Sequence, residues 1–494
     1  MQLRTFLALG FLLALPVVGL AQGPLTPPPG APAPTMKSLS DLDAKLTALV
    51  AKADPRTPLS QATMDAAGGH ITINTSGSYY LTSNLTNATN PGWAWVINIT
   101  APDVTLDLNG YTVSITGNAS YAVYISAPAG GVVISNVTVR NGTLLGPKIR
   151  TAGANPWNAT FTGGGGFSRG IYCQKLTGTG SNHFRFEGVT ARGFSNGFDL
   201  NDSGFEQNGG RAILSRCHAI DCEGAGVIGQ FLDLADVVVS GCNTHGIRAD
   251  YSTLERIVIE RCGGDGVVGG SNTLRGVAVN NLGGTGFQLG GNSRASDIVV
   301  SNAARGVFGT LITLQGVSAQ NNRGHGLEVS SSTASGFMLC GNTGSGLSGS
   351  HNILTTGISQ GNGGHGLDLL YSTISGFTLS GNTNSGLSGN YNSLTDGIIQ
   401  GNISHGIYSP GSSVRNVTAS SNGDAGIYCD NSSITGCVAH NNAADGIRGI
   451  SSVLADCRAY ANDTTPGGYA GVGIAWGSGK ITNSLADTAS PAIP

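Results

Sequence analysis

The sequence predicts an all-β solenoid, one chain wound into coils of about 20 residues each, and three observations carry this reading. A glycine followed by Val, Ile, Leu or Phe returns at positions 226, 246, 266, 286, 306, 326, 346, 366, 386, 406, 426 and 446, without a slip in spacing. Asparagine recurs alongside at 302, 322, 342, 362, 382, 402, 422, 442 and 462. Between these ladders, apolar residues alternate with polar ones, as in Leu274-x-x-Val277-x-Val279, Ile374-x-x-Phe377-x-Leu379 and Val414-x-x-Val417-x-Ala419. Alternation of period two marks strands with one buried face. A short repeat holding two or three such strands between turn residues is one coil of a solenoid. Leucine-rich repeats share this length, but they need a fixed leucine framework and helical stretches that are absent here. Equivalent residues should then stack at about 4.8 Å, giving a rod of about 53 Å for the regular part. Glycine would supply left-handed backbone or close approach at one corner, and stacked asparagines would bond amide to amide along the axis.

The remaining elements follow in chain order. Residues 1–21 read as a secretory signal, with Arg4 in a short positive start, an apolar run from Phe6 to Leu20 and a small-residue exit at Gly19-Leu20-Ala21. This predicts a secreted chain, whether extracellular, periplasmic or held at the cell surface. Residues 22–36 form a Pro-rich linker. Over 37–55, Leu39, Leu42, Leu46 and Leu49 mark one face of a helix ending near Asp54-Pro55. That helix is expected to cap the solenoid, whose open strand edge must be covered, or else to bind a partner or act as a linker. The solenoid is expected over 70–486, with inserts around 141–168, 174–183 and 199–211, and a tail at 487–494. No later stretch is apolar enough to span a membrane. A formal net charge of -3 offers no basic patch for nucleic acid.

The opening coils, ITINTSGSYYLTSNL (Ile71 to Leu85) and DVTLDLNGYTVSITG (Asp103 to Gly117), together with the repeat, resemble the right-handed parallel β-helix repeat family with its pectate-lyase-like solenoid. The resemblance covers roughly Ile71 to Leu485 and implies a single-stranded right-handed parallel β-helix. Because that family includes lyases, hydrolases, epimerases and adhesins, it implies a class of function and no single activity.

Gly324-His325-Gly326 resembles the GHG signature of pectin-hydrolysing members, and Gly364-His365-Gly366 repeats it. The position of His325 and His365 is also filled by His245, Asp265, Thr285, Arg305, Ser345, Ser385, His405, Ala425 and Asp445, which marks a polar turn site. The companion Asp-Asp and Asn-Thr-Asp are missing, and an isolated histidine does not hydrolyse a glycoside, which needs two carboxylates. The Arg-x-Pro-x-x-Arg of pectate lyases and the Asp-Pro-His-Asp of alginate epimerases are absent as well. Cys222, Cys242 and Cys262 take the ladder place that asparagine holds later, and Cys437 and Cys457 lie one coil apart. They read as a ladder of buried free thiols, with a Cys437–Cys457 bridge as the first alternative. No ligand spacing calls for a metal.

A site needs walls, and inserts that break the register concentrate between 141 and 226. Charged side chains number ten between His183 and Glu223, against five over the far longer run from Ser330 to Asp430. Sixteen of the 29 aromatics after the signal lie between Tyr79 and Phe205. Such aromatics either pack beneath the inserts or line a polysaccharide groove with Trp157, Tyr172, Glu206 and His218 as contacts. Two functions follow. The first is a non-catalytic β-helix that binds polysaccharide or cell-surface glycan, or forms part of a surface assembly. The second is a polysaccharide-degrading enzyme, a polyuronate lyase before a glycoside hydrolase. β-Elimination needs cations against the uronate carboxylate and a base for the proton. Lys148, Arg150, Arg169, Lys175, Arg185, Arg192 and Arg211 are candidates for the first role, and His183, His218, Tyr172 or a lysine for the second. Asp199, Asp202, Glu206 and Asp221 would hold Ca²⁺ in a lyase or act as paired carboxylates in a hydrolase.

Overall fold

The computed structural model describes residues 38–87, 94–116, 119–127, 134–164, 166–174, 183–200, 210–462 and 472–486. The signal, the Pro-rich linker, the tail and most of the inserts around 174–183 and 199–211 lie outside these residues. The chain divides into two units, residues 1–55 and 56–494.

In the first unit a helix, α1, runs over Leu39–Ala53. Ser38 starts it, with its hydroxyl accepting from the Asp41 N–H at 3.0 Å while the Asp41 carboxylate accepts from the Ser38 N–H at 3.2 Å. Leu39, Leu42 and Leu46 are exposed.

The second unit is a right-handed parallel β-helix, the hand that parallel crossover connections adopt. Each coil supplies strands to three faces. The first face runs from Thr57–Leu59 and Gly77–Leu81 to Gly479–Thr482, and the second from Leu85–Asn87 and Thr112–Ile115 to Leu485–Ala486. The third runs from Ile71–Ile73, Trp95–Ile99 and Tyr121–Ile125 to Ile474–Trp476. Pairing is parallel and like stacks on like: Leu234 on Leu254 on Leu274, Val239 on Ile259 on Val279, and Val227 on Ile247 on Val267. These inward residues form one continuous core. Pairing starts earlier than Ile71, since Thr57–Leu59 already aligns with Tyr79–Leu81. A short helix, α2 (Gln61–Ala66), then occupies the place below Leu85–Asn87 and buries Met64 in the core. Its Gln61 side chain accepts from the Thr86 N–H at 2.8 Å and donates to the Thr86 carbonyl at 3.3 Å, imitating a neighbouring strand. Within this unit, α2 thus contributes contacts that close this edge.

Corners between faces hold residues in the left-handed region, such as Asp236 (φ 56), Arg256 (φ 52) and Tyr251 (φ 52). The glycines of the regular ladder lie elsewhere. They begin the third-face strands with ordinary φ and are required by close approach: a Cβ on Gly246 would stand 2.4 Å from Ile259 Cγ2 and 2.7 Å from the Gly266 carbonyl.

The asparagine ladder forms from Asn322 to Asn462, each Nδ2 donating to the next Oδ1 at 2.9–3.0 Å. Asn302 is not part of it. Thr273 pairs with Arg294 and Arg294 with Thr313, one step longer than the repeat and the next one shorter, while Gln288 and Phe308 keep the regular interval. This single-position slip leaves Asn302 at a corner with φ 55 and puts Ala303 inside, its N–H donating to Asn322 Oδ1 at 3.0 Å. All nine cysteines are free; Cys222, Cys242 and Cys262 are buried in a row, and the Cys437 N–H donates to Cys457 Sγ at 3.4 Å. Burial raises the Cys173 and Cys429 thiols, the latter to about 12.

Candidate functional site

On the third face, four successive strands read WVINI (95–99), YAVYI (121–125), RGIYC (169–173) and NGFDL (196–200). Their first and fourth residues form two outward rows. Trp95, Tyr121, Arg169 and Asn196 are in register in one, and Asn98, Tyr124, Tyr172 and Asp199 in the other. Tyr121 stacks on Tyr124 and Tyr172 at 4.9 and 4.8 Å, Tyr124 on Tyr172 at 5.6 Å, and Trp95 lies 5.5 Å from Tyr124. His70 meets the Trp95 ring edge-on at 6.4 Å. The Arg169 guanidinium lies over Tyr172 at 4.3 Å, Phe167 at 4.5 Å and Tyr121 at 5.4 Å. Asp199, 6% exposed, holds Arg169 through Nε at 2.5 Å and accepts from Asn196 Nδ2 at 3.0 Å. Burial, and secondarily Tyr121, raises the Tyr124 hydroxyl above its ordinary pKa of 10.0. The result is a half-buried aromatic surface crossed by one fixed cation.

Three of the residues singled out from sequence, Arg169, Tyr172 and Asp199, come together here. The other described candidates lie elsewhere, Lys148, Arg150, Arg192 and Asp221 together at a second place. His183, Arg185 and Arg211 are exposed on the first face, where His183 and Arg211 are in register and Arg211 pairs with Asp233 at 3.0 Å. His218 is exposed on the second face, between Thr190 and Val238. Lys148 and Arg150 stand where the 141–168 insert leaves the second face. Lys148 Nζ is 2.8 Å from Glu223 Oε2, and Asp221 lies 3.9 Å from Arg150 and 3.1 Å from Arg192.

Beyond them the insert forms an antiparallel hairpin, Ile149–Ala152 with Ala159–Thr162. Trp157, near its tip, lies under the Arg323 guanidinium at 4.3 Å, and Arg323 donates to the carbonyls of Leu282 (2.7 Å) and Gly283 (3.0 Å). The hairpin is thus an arm clasped onto later coils. Lys175, Asp202 and Glu206 lie outside the described residues. Among the described residues, no three His, Cys, Asp or Glu side chains gather as metal ligands.

Sequence reasoning passed over Trp95, Tyr121 and Tyr124. Their signal is the shared first and fourth positions of the four strands, hidden because inserts interrupt the regular spacing there.

His325 and His365 have structural work. Their Nδ1 atoms accept the backbone N–H groups of Ser345 at 3.0 Å and Ser385 at 3.2 Å, one coil on.

No family model and no curated protein matches the sequence. Solved structures do match. The A-module of a mannuronan C-5 epimerase from Azotobacter vinelandii is 18% identical over 72% of this chain and 94% of its own, with a TM-score of 0.36. The catalytic domain of an alpha-1,3-glucanase is 10% identical over 75% and 65%, with a TM-score of 0.28. Tailspike protein 3 of bacteriophage CBA120 is 12% identical over 88% and 61%, with a TM-score of 0.24. The likeness is one of fold, and on its own strand pairing this chain is a right-handed parallel β-helix protein.

Proposed function

We propose that the protein binds polysaccharide along the third face of its first coils and does not cleave it. The observation that carries this reading is the contiguous surface of Trp95, Tyr121, Tyr124 and Tyr172 with Arg169 fixed among them. Amphipathic rings and a guanidinium offer sugars apolar contact, hydroxyl hydrogen bonds and attraction for an acidic group. His183 and His218, the described histidine candidates for the base, stand on other faces than Arg169, whereas elimination needs base and cation at the same carbon. Among the described residues of these four strands Asp199 is the one carboxylate, and Arg169 already occupies it. The secretory signal read from sequence supports action outside the cytoplasm, free or within a surface assembly.

The test is equilibrium binding to a panel of neutral and uronate-containing polysaccharides, with product analysis in parallel. Expected are saturable binding of at least one polysaccharide, an affinity at least about tenfold lower for Tyr121→Ala/Tyr172→Ala, and no products. Unsaturated uronates or new reducing ends formed by the wild type would overturn the reading in favour of the lyase or hydrolase.

A further inference from the structure

A cleft of about 610 Å³ opens on the second face, away from the aromatic surface. Its floor is an outward row in register across four coils, Thr86, Ser114, Leu145 and Arg192. The insert base, Gly146 to Arg150, forms the wall, and Asp221 closes the far end. Two features suggest an occupant. The charges do not balance: Lys148 is answered by Glu223, whereas Arg150 and Arg192 share the single carboxylate of Asp221. Arg150 is largely enclosed (11% exposed side chain) and donates to the Pro156 carbonyl from Nη2 at 2.8 Å, while Arg192 stays exposed beside it. The cleft has an apolar side as well, with Leu145 of the floor and Ile149 of the wall left 41% and 64% exposed.

We infer that this cleft binds one acidic sugar residue, a uronate. Its carboxylate neutralises the surplus guanidinium charge at Arg150 and Arg192. Its C–H face lies on Leu145 and Ile149, and the hydroxyls of Thr86 and Ser114 face its own. The volume lies in the range of small-molecule clefts and admits such a residue. The inference stands apart from the third-face reading, because the cleft can fill whether or not a polymer lies on the aromatic surface.

Calorimetric titration of the full chain with glucuronate, galacturonate and mannuronate, with glucose, acetate and sulfate as probes, tests it. Expected is binding of at least one uronate, weakened at least about tenfold by Arg192→Gln, which removes half the guanidinium pair. Ser114→Phe crowds the floor of the cleft and leaves the arm and the cations unsubstituted, and should weaken binding with an unchanged melting curve. Absence of binding to every uronate, acetate or sulfate binding as tightly, or uronate binding that survives both Arg192→Gln and Ser114→Phe would each overturn it.

Discussion

At the scale of single residues, histidine shows how one position serves two ends. His325 and His365 each accept a backbone N–H from the next coil, so their work is done by Nδ1. His325→Ala should therefore cost about 1 kcal/mol, read from chemical denaturation, and leave polysaccharide binding unchanged. His405 holds the same place with a different outcome. Asp424 takes the Ala425 N–H at 2.9 Å, and the His405 ring packs on Tyr408 at 5.7 Å and edge-on to Tyr428 at 5.6 Å. Burial lowers its pKa below 6.5, Arg448 acts in the same direction, and Asp424 opposes them. The unfolded chain then binds that proton more readily, so the contribution is full above about pH 6.5 and is lost as the pH falls below it. His405→Gln should show a smaller drop in denaturation midpoint between about pH 7.5 and pH 5 than the wild type. An equal drop would mean that the ring is not held neutral. The sequence identified these positions as turns because many side chains occupy them, but it did not separate His405 from the rest, since the difference lies in Asp424 one coil away.

At the scale of elements, the ladders and the arm matter most. Asn382 accepts from Asn362 N and Nδ2 at 3.1 and 3.0 Å and donates to Asn402 Oδ1 at 2.9 Å and the Ser359 carbonyl at 3.2 Å. Asn382→Ala orphans several buried groups at once and should cost about 3 kcal/mol or more, measurable as a shift in urea midpoint. The ladder was legible from spacing alone because identical side chains at a fixed interval stack. Its start was not, because the slip near Asn292 moves the first and second faces while the glycines of the third keep their interval. The insert was legible as a break in register. Its form as an arm was not, since the anchor, Arg323, lies far from Trp157 along the chain and meets it only through the winding of the coils. In a double-mutant cycle, Trp157→Ala and Arg323→Ala should couple by about 1 kcal/mol, and either should speed proteolysis within 149–162. Additive effects would show that the arm is held elsewhere.

At the scale of the whole molecule, the solenoid brings residues distant in sequence onto one surface, from Trp95 to Tyr172, because each coil advances the chain by only about 4.8 Å. That surface was legible only through Arg169, Tyr172 and Asp199, because unequal inserts conceal the alignment of its strands. The same geometry separates residues close in sequence: Tyr172, His183 and His218 end on three different faces. The first effect assembles the aromatic surface, and the second spreads the candidate bases Tyr172, His183 and His218 around the coil. The most direct test of this account is to incubate the protein with the polysaccharide it binds most tightly, quantifying bound polymer and released product in the same sample. The account predicts saturable binding that Tyr121→Ala/Tyr172→Ala reduces, with the polymer recovered at its original length. Shortened polymer or unsaturated ends, formed by the wild type and lost in that variant, would contradict it.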